Sequence, residues 1–206
     1  MVKFTDADRA RITAAIHAAE KDTSGEFVAV AAHASDHYLG FPLVWSTALA
    51  LLLPGMVLFL PHAPRAALIY QIQLATFIGL MLFLNFVPAL HMALVPKRVR
   101  HAHASRMARM QFYLQGVHRT REHSGVLFFV SLAERYVEVV ADKGIHENLG
   151  DAHWQEVVDT FLQHVEKDDV TGGFVAAIEA CGKAMAEHYP AKPGDPDELS
   201  DGLIEI

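Results

Sequence analysis

The chain has 206 residues, of which 52% are hydrophobic and 20% are charged, and its formal net charge is −7 at pH 7. Its mean hydropathy is slightly positive, which is typical of a soluble domain joined to a membrane segment. The single cysteine, Cys181, excludes an internal disulfide and does not indicate an oxidising compartment. We expect no secretory signal peptide, because residues 1–22 are polar and periodic rather than a short apolar run.

The first elements predicted along the chain are a helix and a buried strand. Thr5 is a typical N-cap residue, and apolar residues recur at helical spacing from Ile12 to Ala19. The polar turn at residues 22–25 ends this helix. Residues 26–33 are apolar at nearly every position, as expected of a strand that is covered on both faces.

The segment 41–95 contains no charged residue except Arg65 and predicts a membrane-spanning helical hairpin. A bilayer core of roughly 30 Å requires about 20 apolar residues of helix. Two such spans are present, at about residues 41–60 and 66–87. The alternative is two buried core helices of a soluble protein, which we favour less because such helices rarely reach this length without a charge.

The hairpin divides the chain into three predicted parts. Residues 1–40 and 97–190 form one α/β domain, residues 41–96 form the membrane hairpin, and residues 191–206 form an acidic, flexible tail. The tail prediction rests on its acidic, proline-rich composition.

Positive charge is concentrated directly after the second predicted span. Residues 97–121 hold seven cations and no acid, so that the remainder of the chain carries −14. Positive charge beside a span favours a cytoplasmic loop, which predicts a multi-pass protein of the cell inner membrane with both termini in the cytoplasm. We expect Lys97, Arg98 and Arg100 to contact anionic lipid head groups of the bilayer. Nucleic acid is the less favoured partner for this basic segment.

The segments after the hairpin repeat the pattern of a helix, a Ser-Gly turn and a buried strand. A helix is predicted at 99–120, and Ser-Gly followed by VLFFVSL echoes the earlier Ser-Gly followed by EFVAVAA. Two such units predict an α/β fold in which the two strands are parallel. Residues 136–142 alternate as a returning antiparallel strand, and further helices are predicted at 154–165 and 174–189.

This topology brings carboxylates to one edge of the sheet. The starts of the two parallel strands meet the end of the antiparallel strand there, which places Glu26 near Asp142. Glu20, one turn before the first Ser-Gly break, is a third residue that can reach the same rim. Carboxylates beside glycine-rich turns suit a hard cation such as calcium. The alternative is that these acids only cap helices and solvate turns.

The chain lacks the motifs of several common enzyme classes. It contains no G-x-x-x-x-G-K-[ST], G-x-S-x-G, H-E-x-x-H or Cys-x-x-Cys sequence. The lack of a nucleophile–base pair favours a non-enzymatic, membrane-tethered module that binds an unidentified protein or assembles a membrane complex.

Several phrases of the sequence resemble the TPM domain, and more narrowly the bacterial membrane-anchored TPM proteins. They are SGVLFFVSLAERYVEVVADKGI, the helix that starts at Trp154, GGFVAAIEACGKAMAEHYP, the tail motif DELSD and the E-x-x-T-S-G-E of residues 20–26. The tail departs from the family pattern at Asp197 and Ser200.

The resemblance implies an α/β/α sandwich with a mixed, Rossmann-like sheet. It also implies the alternative function, because acid-phosphatase activity and calcium binding are associated with some plant and bacterial members. In that alternative the protein is a calcium-dependent acid phosphatase that acts on phosphomonoesters.

Overall fold

The computed structural model describes residues 3–57, 65–192 and 198–206, without the side chains of residues 54, 57, 88 and 146–152. The helices in this part of the chain are α1 (Asp6–Glu20), α2 (Gly40–Val57), α3 (Ala66–Phe86), α4 (Pro88–Leu94), α5 (Lys97–Leu114), α6 (Lys143–Val165) and α7 (Val170–His188), with a short 3-10 helix at Val117–Arg119. The strands are β1 (Glu26–Ala32), β2 (Gly125–Ser131), β3 (Tyr136–Ala141) and β4 (Ile204–Glu205).

The strands form one mixed sheet in the order β3-β2-β1-β4. Strands β1 and β2 are parallel, with Glu26 opposite Gly125. Strand β3 runs antiparallel to β2, with Ala141 opposite Val126. The predicted parallel pair and the antiparallel third strand are therefore confirmed.

Helices cover both faces of the sheet and give an α/β/α sandwich. Side chains alternate between the two faces along β1 and β2. On one face, Phe27 and Phe128 pack with α1, α6 and α7 in a buried cluster. On the other face, Val28 and Phe129 pack with Ala108 of α5. Burial on both faces explains why these two strands are apolar at nearly every position.

Helix α6 is longer than the sequence predicts. It starts at Lys143, not at Trp154, because the Asp142 carboxylate accepts a hydrogen bond of 2.7 Å from the Lys143 backbone N–H and so caps the helix. Ile145 in its first turn is fully buried in the core. Burial of this face outweighs the low helix propensity of the glycines at 144 and 150.

The end of the segment expected to be a flexible tail instead forms the edge strand β4. It pairs in parallel with β1, with Ile204 opposite Val30. The Ile206 N–H donates to the Ala31 carbonyl at 3.0 Å, and the His33 N–H donates to the Ile206 carbonyl at 2.8 Å. These bonds satisfy backbone groups that β1 would otherwise expose at the edge of the sheet.

The chain divides into two compact units, residues 1–35 with 101–206 and residues 36–100. Within the second unit, α2 and α3 pack against each other. Many of its large apolar side chains are nevertheless exposed, among them Val44, Leu52, Met56, Tyr70, Phe83 and Phe86.

One of the two predicted spans matches a helix of spanning length. Of the described residues, only α3 is long and apolar enough to cross a membrane, judged by its length and composition. The apolar run of α2, Gly40–Leu53, is shorter. The predicted first span at 41–60 ends outside the described residues.

Candidate metal centre

Glu26 and Asp142 lie at the same end of the sheet, as the topology predicted, but β2 separates them. Glu26 is opposite Gly125 in β2. The Asp142 N–H donates to the Gly125 carbonyl on the other side of that strand at 2.9 Å. Because neighbouring strands are about 4.8 Å apart, the two backbones are separated by roughly 10 Å.

Each of these two carboxylates makes hydrogen bonds to backbone N–H groups. The Glu26 oxygens accept from the N–H groups of Glu198 and Leu199, both at 3.3 Å. Asp142 caps α6 and also lies 3.1 Å from Nδ1 of His123. Glu26 thus holds the C-terminal segment, and Asp142 holds the start of a helix.

Glu20 belongs to a different cluster, which it forms with His17 and Asp201. One potential ligand atom from each of the three residues lies within 4.8 Å of the others, and this is the one such group in the described part of the chain. The predicted trio of Glu20, Glu26 and Asp142 is not brought together in this way. Glu20 therefore remains a candidate ligand, but its neighbours are His17 and Asp201 instead of Glu26 and Asp142.

The cluster joins the last turn of α1 to the C-terminal segment. His17 and Glu20 are three residues apart, which places them on one face of the helix. The Glu20 carboxylate also accepts a hydrogen bond of 3.0 Å from the Phe27 N–H at the start of β1. Nδ1 of His17 lies 2.5 Å from the Asp201 carboxylate, whose side chain is only 10% exposed.

Sequence reasoning missed His17 and Asp201 as candidate ligands. The spacing of His17 and Glu20 on one helix face was a usable signal. No local signal exists for Asp201, because it lies in the segment predicted to be loose and meets α1 only through the tertiary fold.

A second polar cluster is buried where β1 and β2 end. Glu134, which is 2% exposed, accepts hydrogen bonds from the Ser35 N–H at 3.0 Å and from the Ser131 hydroxyl. The two serine hydroxyls are 2.9 Å apart. The cluster ties the chain directly after β1 to the turn between β2 and β3.

The predicted basic segment forms an exposed face of α5. Arg106 and Arg109 are exposed, whereas Ala108 on the opposite face is fully buried against the sheet. Near the end of the helix, Tyr113 is 64% exposed and Leu114 is 67% exposed. This face therefore combines positive charge with large apolar groups.

Cys181 is a core residue. It is buried in α7, and burial raises the pKa of its thiol to about 12. Because the thiolate is the nucleophilic form, this cysteine is unreactive at neutral pH.

The order of the elements and the layered sheet define an α/β/α sandwich protein. The family model of the TPM domain matches residues 91–184, slightly less than half of the chain. Residues 91–184 therefore match the TPM domain model, which confirms the family resemblance over that part of the sequence.

The fold extends beyond the matched residues. The NMR structure of BA42 protein from the psychrophilic bacterium Bizionia argentinensis is similar to the whole chain, with a TM-score of 0.63 over 100% of this chain and 97% of that one. The two sequences are 18% identical, so this likeness shows the fold alone. No curated protein matches the chain.

Proposed function

We propose that the protein is a membrane-anchored TPM-domain protein whose soluble unit lies in the cytoplasm and acts as a binding or assembly module. The observation that carries the proposal is the apolar surface of α2 and α3. Large side chains such as Leu52, Phe83 and Phe86 are 64%, 53% and 81% exposed. Exposing this much apolar surface to water is unfavourable in free energy, whereas contact with lipid acyl chains removes that cost.

The lengths of the helices support two spans. At 1.5 Å per residue, the 21 residues of α3 extend about 31 Å and match a hydrocarbon core of roughly 30 Å. The 18 described residues of α2 extend about 27 Å, and the chain continues with an apolar sequence through Leu60. We therefore propose a two-helix hairpin with both termini on one side.

The charge distribution supports the orientation. Lys97 and Arg98 are exposed at the start of α5, directly after the apolar unit, where positive charge favours the cytoplasmic side.

Reporter fusions at both ends test the topology. We expect a reporter that is active only in the periplasm to be inactive at Met1 and at Ile206. Activity at one end alone would reveal a single span, and activity at both ends would reverse the orientation. Changing Lys97, Arg98 and Arg100 together to Ala should weaken the orientation bias. The control removes the same charge far from the spans, at Lys143, Lys167 and Lys183.

The exposed face of α5 supports binding to anionic lipid head groups. Arg106 and Arg109 supply the charge, while Tyr113 and Leu114 supply apolar groups that partition into the interface. A polarity-sensitive fluorophore on Leu114→Cys measures this contact in the full chain, because the native Cys181 is buried.

We expect the emission of that fluorophore to shift to the blue in nanodiscs with anionic lipid relative to nanodiscs of neutral lipid. The pair Arg106→Gln and Arg109→Gln should remove the shift, whereas Lys167→Gln and Lys183→Gln should leave it unchanged. Equal emission in both lipids would argue against head-group binding.

An activity assay separates the binding module from the alternative of a metal-dependent acid phosphatase. We expect the purified chain to release no phosphate from a panel of phosphomonoesters, with or without calcium or magnesium. Metal-dependent turnover that survives repurification would establish the phosphatase in place of the module.

A further inference from the structure

The two edges of the sheet differ in how they are covered. At one edge, β4 pairs with β1, and the backbone bonds of Ile206 continue that pairing. At the other edge, no strand in the described part of the chain pairs with the outer side of β3. All six residues of β3 are accordingly only half-buried, whereas all seven residues of β2 are buried.

The open edge of β3 presents a regular row of backbone groups. The Asp142 N–H donates to the Gly125 carbonyl of β2 at 2.9 Å, so every second residue back from Asp142 bonds to β2. The residues between them, Val137, Val139 and Ala141, therefore point their N–H and C=O groups away from β2. These groups match the hydrogen-bonding pattern of a further extended chain.

Strand β3 lacks the features that usually protect an open edge. Its sequence, YVEVVA, contains no proline, lysine or arginine, and its pairing with β2 runs through six residues without a bulge. Its one charged residue, Glu138, accepts hydrogen bonds from the hydroxyls of Tyr136 and of Ser105 in α5. That carboxylate is therefore held towards α5 and does not block the edge.

An apolar cleft of about 590 Å³ lies beside the start of β3. Val137 contributes to one wall, and Phe161, Leu162 and Val165 of α6 contribute to another. Leu162 is 40% exposed, so the apolar lining is open to a partner. Because side chains alternate between the two faces of a strand, every second side chain of an added strand would point to this side of the sheet.

The rim of the cleft carries charges of both signs. Arg135, Glu166 and Asp168 line it and are exposed, and none of the three forms an ion pair with another described residue. Two acids and one arginine leave a net negative charge at the rim. Charge complementarity therefore favours a cationic side chain on the partner.

We propose that an extended peptide segment of a partner protein binds by adding a strand to the sheet along β3. The segment has apolar side chains at alternate positions, which enter the cleft, and a lysine or arginine that reaches Glu166 and Asp168. Main-chain hydrogen bonds supply affinity in this mode of binding, and the cleft supplies specificity. The inference rests on the proposed function as a binding module and names the kind of partner.

A second copy of the chain fits this edge less well. Two copies related by a two-fold axis would pair their β3 strands in antiparallel fashion. The C-terminal ends of their β1 strands, where the chain enters residues 36–100, would then lie at opposite ends of the joined sheet. Two copies anchored in one bilayer need those ends on the same side.

The test uses a library of labelled, acetylated octapeptides and the full chain in nanodiscs. Valine, leucine or phenylalanine occupies every second position, and one end carries either lysine or glutamate. Fluorescence anisotropy measures binding, and we expect the members with lysine to bind several-fold more tightly than those with glutamate. The absence of binding by every member would overturn the proposal.

N-methylation of the best peptide distinguishes strand addition from apolar contact alone. The amides of an added strand face β3 and solvent alternately, so the peptide is methylated on one alternate set or on the other. One of the two products should bind about 10-fold more weakly or worse, because it loses hydrogen bonds to β3, and the other should bind nearly as before. The two products have the same composition, so equal binding by both would overturn the proposal.

Residue-resolved hydrogen exchange locates the peptide on the sheet. In the free chain, the amides of Val137 and Val139 should exchange faster than those of Glu138 and Val140, and the bound peptide should slow the two fast amides. Slowing confined to residues 203–206 would place the peptide at the other edge and overturn the assignment. Dimers of the free chain in which Val137 and Val139 are already protected would show that a second copy occupies the edge, which would also overturn it.

Charge reversal tests the rim of the cleft. Glu166→Lys together with Asp168→Lys should reverse the preference for peptides with lysine, whereas the control pair Glu179→Lys and Glu187→Lys, at exposed positions of α7, should keep it. An unchanged preference in the first pair would refute the role of the rim. Failure of these binding tests is distinct from failure of the membrane anchor, because the reporter fusions measure topology without any peptide.

Discussion

Replacing Glu134 by alanine should strongly destabilise the compact unit of residues 1–35 and 101–206. The side chain is 2% exposed and accepts from the Ser35 N–H at 3.0 Å and from the Ser131 hydroxyl. The variant leaves both donors in a buried site without this acceptor. An unsatisfied buried group costs about 1–3 kcal/mol.

The two donors do not contribute equally. The Ser131 hydroxyl is 2.9 Å from that of Ser35 and retains this partner, so its cost lies at the lower end of the range. Together with the cavity left by the side chain, we expect Glu134→Ala to lower the free energy of unfolding by about 3–5 kcal/mol. Glu134→Gln keeps one acceptor oxygen and should cost about half as much.

Urea unfolding followed by the fluorescence of Trp154 measures this difference. Trp154 is 7% exposed in the core of that unit, and a Trp45→Phe background removes the other tryptophan signal. Glu187→Ala, an exposed substitution on α7, is the control and should change stability by no more than about 0.5 kcal/mol. A loss below about 1 kcal/mol in Glu134→Ala would show that the buried cluster does not fasten the chain after β1 to the turn between β2 and β3 as inferred.

Two further predictions concern the packing of α7. Gly182→Ala should destabilise the fold by about 1–3 kcal/mol in thermal unfolding, because the new methyl group would lie 2.7 Å from Cβ of Ala19 in α1. The control is Gly202→Ala, whose new methyl group would have Oγ of Ser200 as its nearest neighbour at 3.8 Å, and it should be nearly neutral. Cys181 should react with maleimide at pH 8 only after unfolding, since burial raises its pKa from 9.0 to about 12. The buried thiol binds its proton more tightly in the folded state. Its contribution to the free energy of unfolding is therefore complete below pH 9.0 and is lost between pH 9.0 and about pH 12. Rapid maleimide labelling of the native chain, or a Gly182→Ala variant as stable as the original, would contradict this packing.

Local chemistry was enough to predict the first helix and three of the four strands of the sheet. The hydroxyl of Thr5 accepts from the Asp8 N–H at 3.2 Å, and the Asp8 carboxylate accepts from the Thr5 N–H at 2.9 Å, so the predicted cap is present. The continuous apolar runs of β1 and β2 predicted strands that are buried on both faces, and the turn before β3 predicted that β3 runs antiparallel to β2. Each of these features depends on residues that are close in sequence.

The tertiary structure alone decided the partners of the carboxylates and the role of the C-terminal segment. Residues LIEI, a short run in an acidic context, became ordered because β1 offered an open edge of backbone groups. The same docking carried Asp201 to His17 and Glu20 at the far end of the sequence. Glu26 and Asp142 do lie at the same end of the sheet, but the strand order β3-β2-β1 places β2 between them. Pairing between segments that are distant in sequence leaves no periodic pattern in the residues themselves.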